Sequence, residues 1–566
     1  MPSLPRPFWP RGVPADVRVP QVPLTHFLQT AAERWPDKPA IAFAGSTLDY
    51  AGLWQRSCAL AGHLAQRLGV RPGDRVLLVA QNCPQFVVAT FGIQRAGAAV
   101  VPVNPMSTAP ELAHYAHDSG ARVAICAQEL LGPVQQAVAD GLLDAVLVLA
   151  YADALSGDGA STQAEAVQGV PALAEARRPL PDGPYHGFEA AIAEGLAPPP
   201  WHADVHALAA LPYTSGTTGA PKGCRHSHAT LLASNLASQV WRGLHSESVF
   251  LCVAPLFHML GMQNGMNLPI TLGATVVMMP RWNAAQAVAL VAHHRVSVWA
   301  APPAMVMDFF AQPEAATADL SSLSMLSGGG AAMPEAVAGM LQARFGLAYN
   351  EAYGLTETAA FLHANPVDRG KRQCLGLPTQ GVHSLVVDPE SLAPLPPGKV
   401  GELVTRGPQL MLGYWRQPEA DAQAFVTIDG QRYLRTGDLA HVDEEGYFFM
   451  RDRLKRMINA SGFKVWPAEV EAMLYEHEAV LEACVVGVPD PRRGETVRAL
   501  VVARHGRTLT EAGLLDWCRT RMSAYKVPRS VRFLSALPRS ATGKVAWRAL
   551  QEAEARAALI PTQEAA

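Results

Sequence analysis

The segment from Leu211 to Gly223 combines residue types that suit the binding of a polyphosphate. It reads LPYTSGTTGAPKG and contains four small hydroxyl residues (Ser or Thr), three glycines and one lysine. Backbone N–H groups, hydroxyls and an ammonium can together surround anionic oxygens, and glycine lets the backbone approach them closely. The apolar run LAALPY at its start predicts a strand that leads into the loop.

The position of the lysine argues against the common phosphate loop of Walker-type NTPases. That loop reads GxxxxGK followed by Ser or Thr, whereas Lys222 lies six residues after Gly216 and is followed by Gly223. A flexible Gly/Ser/Thr linker is the alternative for a stretch so rich in small residues. A linker has no need of an apolar strand leading into it, so we favour a nucleotide-binding loop.

Four further blocks follow the loop in order. They are NEAYGLTET (350–358), YLRTGDLA (433–440), RDRLKRMINASGFKVWPAEVE (451–471) and PRSATGKVAWRAL (538–550). Together with the loop they resemble the motif series of the adenylate-forming superfamily, which contains acyl-CoA synthetases, peptide-synthetase adenylation domains and luciferases. The resemblance runs from about Phe27 to Leu550, and the stretches 298–310 and 489–502 are most similar to fatty acid:CoA ligases.

The resemblance implies a reaction with two halves at one site. ATP first converts a carboxylic acid to acyl-AMP with release of pyrophosphate, and the thiol of coenzyme A then displaces AMP. Positioning and the neutralisation of anionic oxygens supply most of the catalysis in such a reaction. The implied function is an ATP-dependent carboxylic acid:CoA ligase for medium- to long-chain fatty acids, with ATP, Mg²⁺ and coenzyme A as cofactors.

Matching motif positions imply the contacts to ATP. Glu357 matches the Mg²⁺ ligand, since Mg²⁺ usually takes one carboxylate with phosphate oxygens and waters, and Thr356 matches a phosphate contact. Tyr353 matches the ring that stacks on adenine, although Glu351 and Ala352 stand where the superfamily commonly has Gln-Gly. The phosphate loop is matched by Thr214, Ser215, Gly216, Thr217, Thr218, Gly219 and Lys222, and the opposite adenine wall by Gly330, Ala331 and Ala332.

Later motifs imply the ribose and coenzyme A contacts. Asp438 offers two acceptor oxygens to the ribose hydroxyls and Arg453 matches a second ribose contact, with a surface ion pair as the alternative for either. Lys544 matches the lysine that reaches the carboxylate and α-phosphate during adenylation. Lys455 matches the hinge about which the small domain turns between the two half-reactions. The pantetheine tunnel is matched by Ser461, Gly462, Phe463 and Lys464.

Fewer residues match the part of the site that would bind the acyl group. His258 in PLFHMLGM matches an aromatic gate between ATP and the acyl pocket, although a histidine among apolar residues is often a core residue. Gly328 and Gly329, followed by Gly330, would leave room for a long acyl chain. The pairs His226/His228 and His202/His206 have metal-like spacing, but neither continues to a third ligand.

Several alternatives follow from the same motifs. An aryl or short branched acid fits them as well as a fatty acid does. An adenylation enzyme that loads an acyl carrier protein is another alternative, but the extra insertion of fatty acyl-AMP ligases between the Glu357 and Asp438 motifs is not evident. A non-catalytic sensor on the same fold is disfavoured because Glu357, Asp438, Lys222 and Lys544 are all retained.

Composition limits the classes of binding partner and the cellular compartments that we expect for this protein. The formal net charge of −3 offers no electrostatic footprint for nucleic acid or an anionic membrane. Eight cysteines without a CxxC pair fit reduced thiols, and no apolar run of about 18 residues predicts a transmembrane segment. The proline-rich N-terminus does not resemble a secretory signal, so we expect a cytoplasmic enzyme. A homodimer and a lysine acetyltransferase acting at Lys544 are the further partners considered.

Alternating strands and helices must position these residues. Residues 73–104 read as the strand RVLLVA, a helix from Pro84 to Ala96 that ends at Gly97, and the strand AAVVPV. The pattern recurs in LAHYAHDSG before RVAIC, and in ATVVMMP, AAQAVALVAHH and VSVWAAPP. Such alternation predicts an α/β fold with parallel sheets covered by helices.

Length and the later pattern predict more than one domain. A chain of 566 residues exceeds the roughly 250–300 residues that one core supports. After Gly401, short β segments predict a small barrel-like antiparallel subdomain, and the remainder predicts a compact α+β domain. We predict an N-terminal AMP-binding domain over 1–453 with a surface insertion at 151–200, and a mobile C-terminal AMP-binding lid domain over 454–566.

Overall fold

A computed structural model describes residues 8–155, 175–200, 204–214, 221–329, 333–460, 463–490, 494–539 and 545–559. Within these residues the chain forms two compact units. The larger unit comprises residues 8–383 and 406–425, and the smaller unit comprises residues 384–405 and the chain from Val426 onward. The smaller unit joins residues from both sides of the predicted boundary after Arg453, so that boundary stays a prediction.

The larger unit contains a nine-stranded and a seven-stranded sheet. Its strands are β1 Pro39–Phe43, β2 Ser46–Asp49, β3 Arg75–Val79, β4 Ala99–Val103, β5 Val123–Ala127, β6 Ala145–Leu149, β7 Tyr185–Gly187, β8 Leu208–Ala210, β9 His226–Ser227, β10 Val249–Cys252, β11 Thr275–Met278, β12 Val298–Ala300, β13 Met325–Gly328, β14 Tyr349–Tyr353, β15 His363–Ala364 and β16 Leu377–Pro378. The strand orders are β16-β15-β14-β13-β12-β10-β11-β1-β2 and β7-β6-β5-β3-β4-β8-β9.

Helices flank both sheets. They span Leu24–Arg34, Tyr50–Gln66, Pro84–Arg95, Ala109–Ser119, Leu131–Ala139, Phe188–Ala193, His228–Arg242, Met259–Gly261, Leu268–Leu272, Ala284–His294, Pro303–Phe310, Glu335–Phe345 and Pro418–Ala424. A π-helical segment, Met262–Asn267, connects the two short helices that follow His258.

The repeating strand and helix units form as the sequence predicts. β3 and β4 pair in parallel, with Leu77 opposite Val101, and the helix between them begins after Cys83 and ends before Gly97. Gly97 has a φ of +81°, a conformation that glycine adopts without strain. Every residue of β4 is buried, as expected for a parallel strand covered on both faces. The α/β prediction is confirmed.

The prediction of a surface insertion over 151–200 is wrong for its second part. β7 pairs in parallel with β6 and extends the seven-stranded sheet. The helix that follows it buries Phe188, which is 1% exposed, and Ala191. Sequence reasoning missed this short strand and short helix because neither is long enough to show a clear hydrophobic period. Residues 156–174 lie outside the described residues.

The smaller unit contains two further five-stranded sheets. Its strands are β17 His383–Val387, β18 Gly401–Arg406, β19 Phe425–Ile428, β20 Gln431–Val442, β21 Phe448–Arg453, β22 Ile458–Ala460, β23 Phe463–Val465, β24 Val480–Asp490, β25 Gly494–Ala503 and β26 Ser530–Phe533, and its helices are Pro467–Tyr475, Glu511–Arg519 and Trp547–Leu559. β20 pairs antiparallel with β18 and β21, and β25 pairs antiparallel with β24 and parallel with β26. The predicted antiparallel subdomain and the α+β arrangement after it are both present.

Gly328 and Gly329 allow neighbouring strands to approach closely. A Cβ on Gly328 would lie 1.9 Å from the Ala301 carbonyl oxygen and 2.4 Å from the Tyr349 hydroxyl oxygen. A Cβ on Gly329 would lie 2.2 Å from the carbonyl oxygen of Ala352. Neither position has room for a methyl group, so glycine is required by packing.

Gly328→Ala should therefore destabilise the larger unit. We expect a loss of about 1–3 kcal/mol in the free energy of unfolding, because the added methyl group must displace backbone. Denaturant midpoints measured by circular dichroism would show it. Gly339→Ala is the matched control, since Gly339 lies inside a helix with nothing within 4 Å of its Cβ position, and it should gain about 0.5–1 kcal/mol. A Gly328→Ala variant as stable as wild type would contradict the close approach.

Candidate functional site

Four predicted site residues lie at the carboxyl ends of neighbouring strands. β10, β12, β13 and β14 are adjacent and parallel. His258 lies a short way after β10, Gly329 directly after β13, Tyr353 at the end of β14 and Glu357 just beyond it. β11 and β12 flank β10 on opposite sides, so the strand order reverses there. In open α/β sheets, ligands bind outside the carboxyl ends at such a reversal.

An antiparallel ladder closes the base of the predicted phosphate loop. The Thr214 N–H donates to the Lys222 carbonyl at 2.9 Å, and the Cys224 N–H donates to the Pro212 carbonyl at 2.8 Å. Thr214 and Lys222 therefore lie opposite each other at the two ends of the loop. The remaining predicted contacts, Ser215, Gly216, Thr217, Thr218 and Gly219, lie outside the described residues.

One helix anchors the base of this loop. The Tyr213 hydroxyl donates to Asp118 Oδ2 at 2.5 Å, and the Trp415 indole N–H donates to the Asp118 carbonyl at 2.9 Å. Asp118 belongs to the Ala109–Ser119 helix. That helix thereby holds both the strand entering the loop and a segment far along the chain. Sequence reasoning missed Asp118, because an acidic residue near a helix end carries no signal of a partner 95 residues away.

Tyr414 brings Lys222 and Glu357 together. Its hydroxyl donates to Glu357 Oε1 at 2.9 Å, and Lys222 Nζ lies over its ring, 5.1 Å from the centroid. The Met411 N–H donates to the Glu357 carbonyl at 2.8 Å, which fixes the backbone of the glutamate as well. Burial and the Glu357 carboxylate raise the pKa of Tyr414, so its hydroxyl remains a donor at neutral pH.

The main chain holds Tyr414 against the end of the loop. The Arg225 N–H donates to the Gly413 carbonyl at 3.0 Å, and the Trp415 N–H donates to the Gly223 carbonyl at 2.8 Å. Tyr414 thus sits between two backbone bonds to the strand that leaves the loop. It lies 57 residues beyond the predicted carboxylate and in no predicted motif, so the sequence contained no signal for it.

A neutral histidine holds the backbone beside Glu357. His226 Nε2 lies 2.7 Å from the Thr356 carbonyl oxygen, and its Nδ1 lies 3.1 Å from Thr230 Oγ1. Burial lowers the pKa of His226 to about 4, so the ring is uncharged at neutral pH. Its neighbour His228 accepts the Leu24 N–H on Nδ1 at 3.2 Å. Both histidines therefore serve as packing and hydrogen-bonding residues here.

A buried carboxylate anchors the predicted adenine site. Glu351 is 7% exposed and accepts the Met333 N–H at 2.9 Å and the Cys374 N–H at 3.0 Å. Burial raises its pKa. The Tyr353 ring lies edge-on to His363, with centroids 5.7 Å apart. Glu351 therefore ties the residue after the predicted opposite wall to the strand of Tyr353. That wall, Gly330, Ala331 and Ala332, lies outside the described residues.

The glycines predicted to leave room for an acyl tail have a different structural reason. The space beside Gly328 and Gly329 is filled by backbone carbonyls and the Tyr349 hydroxyl. The volume argument for a channel therefore does not hold at these two positions, and their place in the acyl pocket stays a prediction. His258, the predicted gate, precedes the Met259–Gly261 helix, and its ring packs on Phe257 with centroids 4.6 Å apart.

In the smaller unit the two predicted ribose contacts pair with each other. Asp438 on β20 lies opposite Arg453 on β21, and Arg453 Nε lies 3.0 Å from Asp438 Oδ1. The Asp438 side chain is 1% exposed and that of Arg453 is 40% exposed. The ion pair weighed as an alternative is therefore present, although Asp438 is buried, and the ribose role stays a prediction.

The coenzyme A and hinge positions also belong to the smaller unit. Lys455 lies in the 3-10 helix Leu454–Arg456, and β23 pairs Phe463 and Lys464 with β22. Gly462 and Lys544, like Ser461, lie outside the described residues. In the described part of the chain, no helix has the length and apolar character needed to cross a bilayer. Nor do three or more His, Cys, Asp or Glu side chains gather there as metal ligands.

Family models match both parts of the chain. Residues 28–415 match the AMP-binding enzyme family, and residues 469–544 match the AMP-binding enzyme C-terminal domain. The first match contains the loop, Glu357 and Tyr414, and the second contains Lys544.

Named relatives cover nearly the whole chain. A long-chain-fatty-acid–CoA ligase of Bacillus subtilis strain 168 is 33% identical over 556 residues, 96% of this chain and 97% of that one. A feruloyl-CoA synthase of an Amycolatopsis species is 36% identical over 517 residues, 90% of this chain and 94% of that one.

Solved structures share the fold. An ATP-bound MatB from Rhodopseudomonas palustris has a TM-score of 0.79 at 27% identity, with 94% of this chain and 99% of that one covered. An anthranilate CoA ligase in complex with anthranoyl-AMP has a TM-score of 0.80 at 25% identity, with 96% and 99% covered. The predicted adenylate-forming fold and the predicted acid–thiol ligase class are confirmed. This chain belongs to the AMP-binding enzyme family, as an acyl-CoA ligase.

Proposed function

We propose that this chain joins medium- to long-chain fatty acids to coenzyme A, with ATP and Mg²⁺. The arrangement of Lys222, Tyr414 and Glu357 at the base of the loop carries the nucleotide part of the proposal. The fatty acid is supported by relatives named long-chain-fatty-acid–CoA ligases, which match over nearly their full length.

Glu357 fits a Mg²⁺ that binds with ATP. Mg²⁺ usually takes one or two protein carboxylates and completes its shell with phosphate oxygens and waters. Glu357 presents a single carboxylate oriented by the Tyr414 hydroxyl, beside the ammonium of Lys222, which would contact phosphate oxygens. Bound there, Mg²⁺ would supply charge neutralisation to the phosphates. Thr356, with its carbonyl held by His226, would contact phosphate.

The two half-reactions follow from this placement. In the first, a carboxylate oxygen attacks the α-phosphorus, the bond to the bridging oxygen breaks and pyrophosphate departs with that electron pair. Lys544 is assigned to the carboxylate and α-phosphate, and Asp438, oriented by Arg453, to the ribose hydroxyls. In the second, the sulfur of coenzyme A attacks the acyl carbon and AMP departs. The pantetheine path is assigned to Gly462, Phe463 and Lys464.

The domain movement belongs to the same proposal. Lys455 is the hinge, and the division into residues 1–453 and 454–566 separates the part that turns from the part that holds ATP. Cytoplasmic location, a homodimer and acetylation of Lys544 are further parts of it. Acetylation would remove the charge of Lys544 and with it the adenylation step.

An aryl carboxylic acid is a second candidate substrate class. The feruloyl-CoA synthase matches at 36% identity, slightly above the 33% of the fatty acid ligase of Bacillus subtilis. The structure of an anthranilate CoA ligase superimposes over almost the whole chain. The two classes differ in the acyl pocket alone, since both reactions pass through acyl-AMP.

A substrate panel separates these classes. Straight-chain acids of increasing length and a set of benzoic and cinnamic acids are incubated with ATP, Mg²⁺ and coenzyme A. Pyrophosphate release and the CoA thioester, identified by mass spectrometry, are both scored. We expect kcat/KM to peak among medium or long straight-chain acids. A peak among aryl acids would replace the fatty acid, and pyrophosphate release without thioester would overturn the CoA ligase.

Lys544→Ala should abolish only the first half-reaction. We expect acyl-AMP formation to fall roughly 10²–10⁴-fold, as when one preorganised charged group is removed from such a site. Thioester formation from supplied acyl-AMP should stay near the wild-type rate, because the lysine serves one domain orientation. Lys399→Ala, at an exposed lysine of the same unit, is the control. Equal losses in both half-reactions would rule out a lysine that serves adenylation alone.

Tyr414→Phe and Tyr414→Leu should separate the effects of the two contacts that this tyrosine makes, with Glu357 and with Lys222. The first keeps the ring over which Lys222 lies and loses the hydrogen bond to Glu357, so we expect about a 10-fold loss in kcat/KM for ATP. The second loses both contacts and should cost about 100-fold. The Phe variant should also need more Mg²⁺ for half-maximal pyrophosphate–ATP exchange.

The control for this pair is Tyr525→Phe, at an exposed tyrosine of the smaller unit. It should leave the Mg²⁺ requirement unchanged. Thermal melting with and without Mg²⁺-ATP gives a readout independent of turnover, and the Phe variant should gain less stability from the ligand. An unaltered Mg²⁺ requirement in Tyr414→Phe would show that the tyrosine does not orient Glu357.

A further inference from the structure

The turn that follows β3 joins the two sheets of the larger unit at their carboxyl ends. β3 belongs to the seven-stranded sheet, whereas β10 and β11 belong to the nine-stranded sheet. Asn82, in this turn, is 3% exposed and donates to backbone carbonyls that follow β10 and β11. Beside it, Gln81 Oε1 accepts a hydrogen bond from Arg281 Nε at 2.7 Å. Two adjacent amide side chains therefore hold the two sheets together at this edge.

The amide of Asn82 holds the chain after β10 through both its donor and its acceptor. Its Nδ2 lies close to three carbonyl oxygens, those of Val253 at 3.3 Å, Ala254 at 3.2 Å and Met279 at 3.2 Å. Its Oδ1 accepts the Leu256 N–H at 2.8 Å. A buried backbone group that loses its partner is costly. Asn82 therefore fixes the position of residues 253–256, which lead directly to His258.

The short helix after His258 packs directly on the same residues. A Cβ on Gly261 would lie 2.5 Å from the Ala254 carbonyl oxygen and 2.2 Å from that of Pro255. The His258 N–H donates to the Pro255 carbonyl at 3.0 Å. The Ala254 carbonyl is thus a contact of both Asn82 and the helix. A displacement of this carbonyl must move the backbone of His258 as well.

Separate contacts hold the π-helical segment further along the chain. A Cβ on Gly265 would lie 2.7 Å from Cys252 Sγ, at the end of β10. Arg242 Nη1 donates to Asn264 Oδ1 at 2.9 Å. These contacts position the segment itself, whereas Asn82 positions the residues that precede the helix.

We infer that Asn82 is a positioning residue for the acid, because it fixes the chain that places His258 beside the acyl group. This inference rests on the proposed function, in which His258 is the gate between ATP and the acyl pocket. Asn82 acts through the backbone of residues 253–256 and is assigned no contact with the reacting atoms. Asparagine suits this role because an amide offers donors and an acceptor from one short side chain.

A purely structural role for Asn82 makes a different prediction, and Asn365 provides the comparison. Asn365 is also 3% exposed. Its Nδ2 likewise lies close to three carbonyl oxygens, those of Glu351 at 3.5 Å, Lys371 at 3.0 Å and Cys374 at 3.2 Å, and its Oδ1 accepts the Lys371 N–H at 2.9 Å. It holds the chain near the predicted adenine site. If such amides only stabilise the fold, variants at the two positions should behave alike.

The test compares Asn82→Ala and Asn82→Asp with Asn365→Ala and Asn365→Asp. Pyrophosphate release is measured with butyrate, octanoate and palmitate, KM for ATP is measured separately, and denaturant midpoints report stability. We expect the Asn82 variants to lose about 10–10²-fold in kcat/KM for the best acid, as a misplacement near 1 Å can do. The ratio of kcat/KM between the best and the poorest acid should narrow about 10-fold.

Two further readouts separate positioning from general destabilisation. KM for ATP should change less than about twofold in the Asn82 variants, since only the acid side is displaced. The Asn365 variants should lose similar stability and keep the wild-type ratio between acids. Asn82→Asp should be no better than Asn82→Ala, because a carboxylate supplies no donor to the three carbonyls.

Hydrogen exchange on the wild-type protein needs no variant and decides the matter if the Asn82 variants fail to fold. The protein is compared with bound sulfamoyl-adenosine and with bound acyl sulfamoyl-adenosine, which adds only the acyl group. Peptides covering residues 253–262 should exchange more slowly with the acylated compound. Peptides covering residues 365–374 should exchange equally with both.

Contrary results are distinguishable from a failure of the proposed function. Equal losses for every acid, the same change of acid ratio in the Asn365 variants, or equal exchange of residues 253–262 with the two compounds would overturn the role of Asn82. Thioester formation by wild type would leave the CoA ligase intact in each case. A wild type that forms no thioester with any acid would instead refute the proposed function.

Discussion

The predicted nucleotide site depends on one tyrosine that holds a cation and a carboxylate close together without an ion pair between them. In the proposed function, the ammonium of Lys222 would contact phosphate oxygens and the carboxylate of Glu357 would bind a divalent cation. Tyr414 contacts both, the lysine through its ring and the glutamate through its hydroxyl. Its position comes from backbone bonds that join residues 411–415 to the strand leaving the loop. Lys222, at the end of the loop, and Glu357 therefore meet at one aromatic side chain.

Local sequence patterns predicted the fold well where elements are long and regular. The strand–helix–strand unit from Arg75 to Val103 appears as predicted, because apolar periodicity and glycine stops are local signals. The strand Tyr185–Gly187 was missed because three residues show no period and their pairing partner is β6. The site was predictable only where motifs mark it. Glu357 and Lys222 lie in motifs, whereas Tyr414 and Asp118 act through contacts that no local pattern encodes.

Glycines and charged residues show the limit of reasoning from residue type. A run of three glycines suggests free space for a ligand. At Gly328 and Gly329, however, neighbouring backbone carbonyls occupy that space. Asp438 and Arg453 were expected to contact the same sugar, and the structure pairs them with each other. Such a pair can still orient a carboxylate for a ligand, because an arginine that binds one oxygen fixes the plane of the other. Glu351, where a glutamine is usual in the superfamily, became a backbone anchor instead.

The π-helical segment Met262–Asn267 makes the chain after His258 tolerant of the loss of one residue. A π turn accommodates one residue more than an α turn, and its removal restores an ordinary helix without changing the ends. Each residue of an α-helix advances by about 100° around the axis. Deleting a single residue between His258 and Asn264 would therefore rotate the amide of Asn264 away from Arg242 while leaving the helix in place. A deletion of one codon could therefore change which side chains meet in this part of the fold and leave both ends of the helix in place.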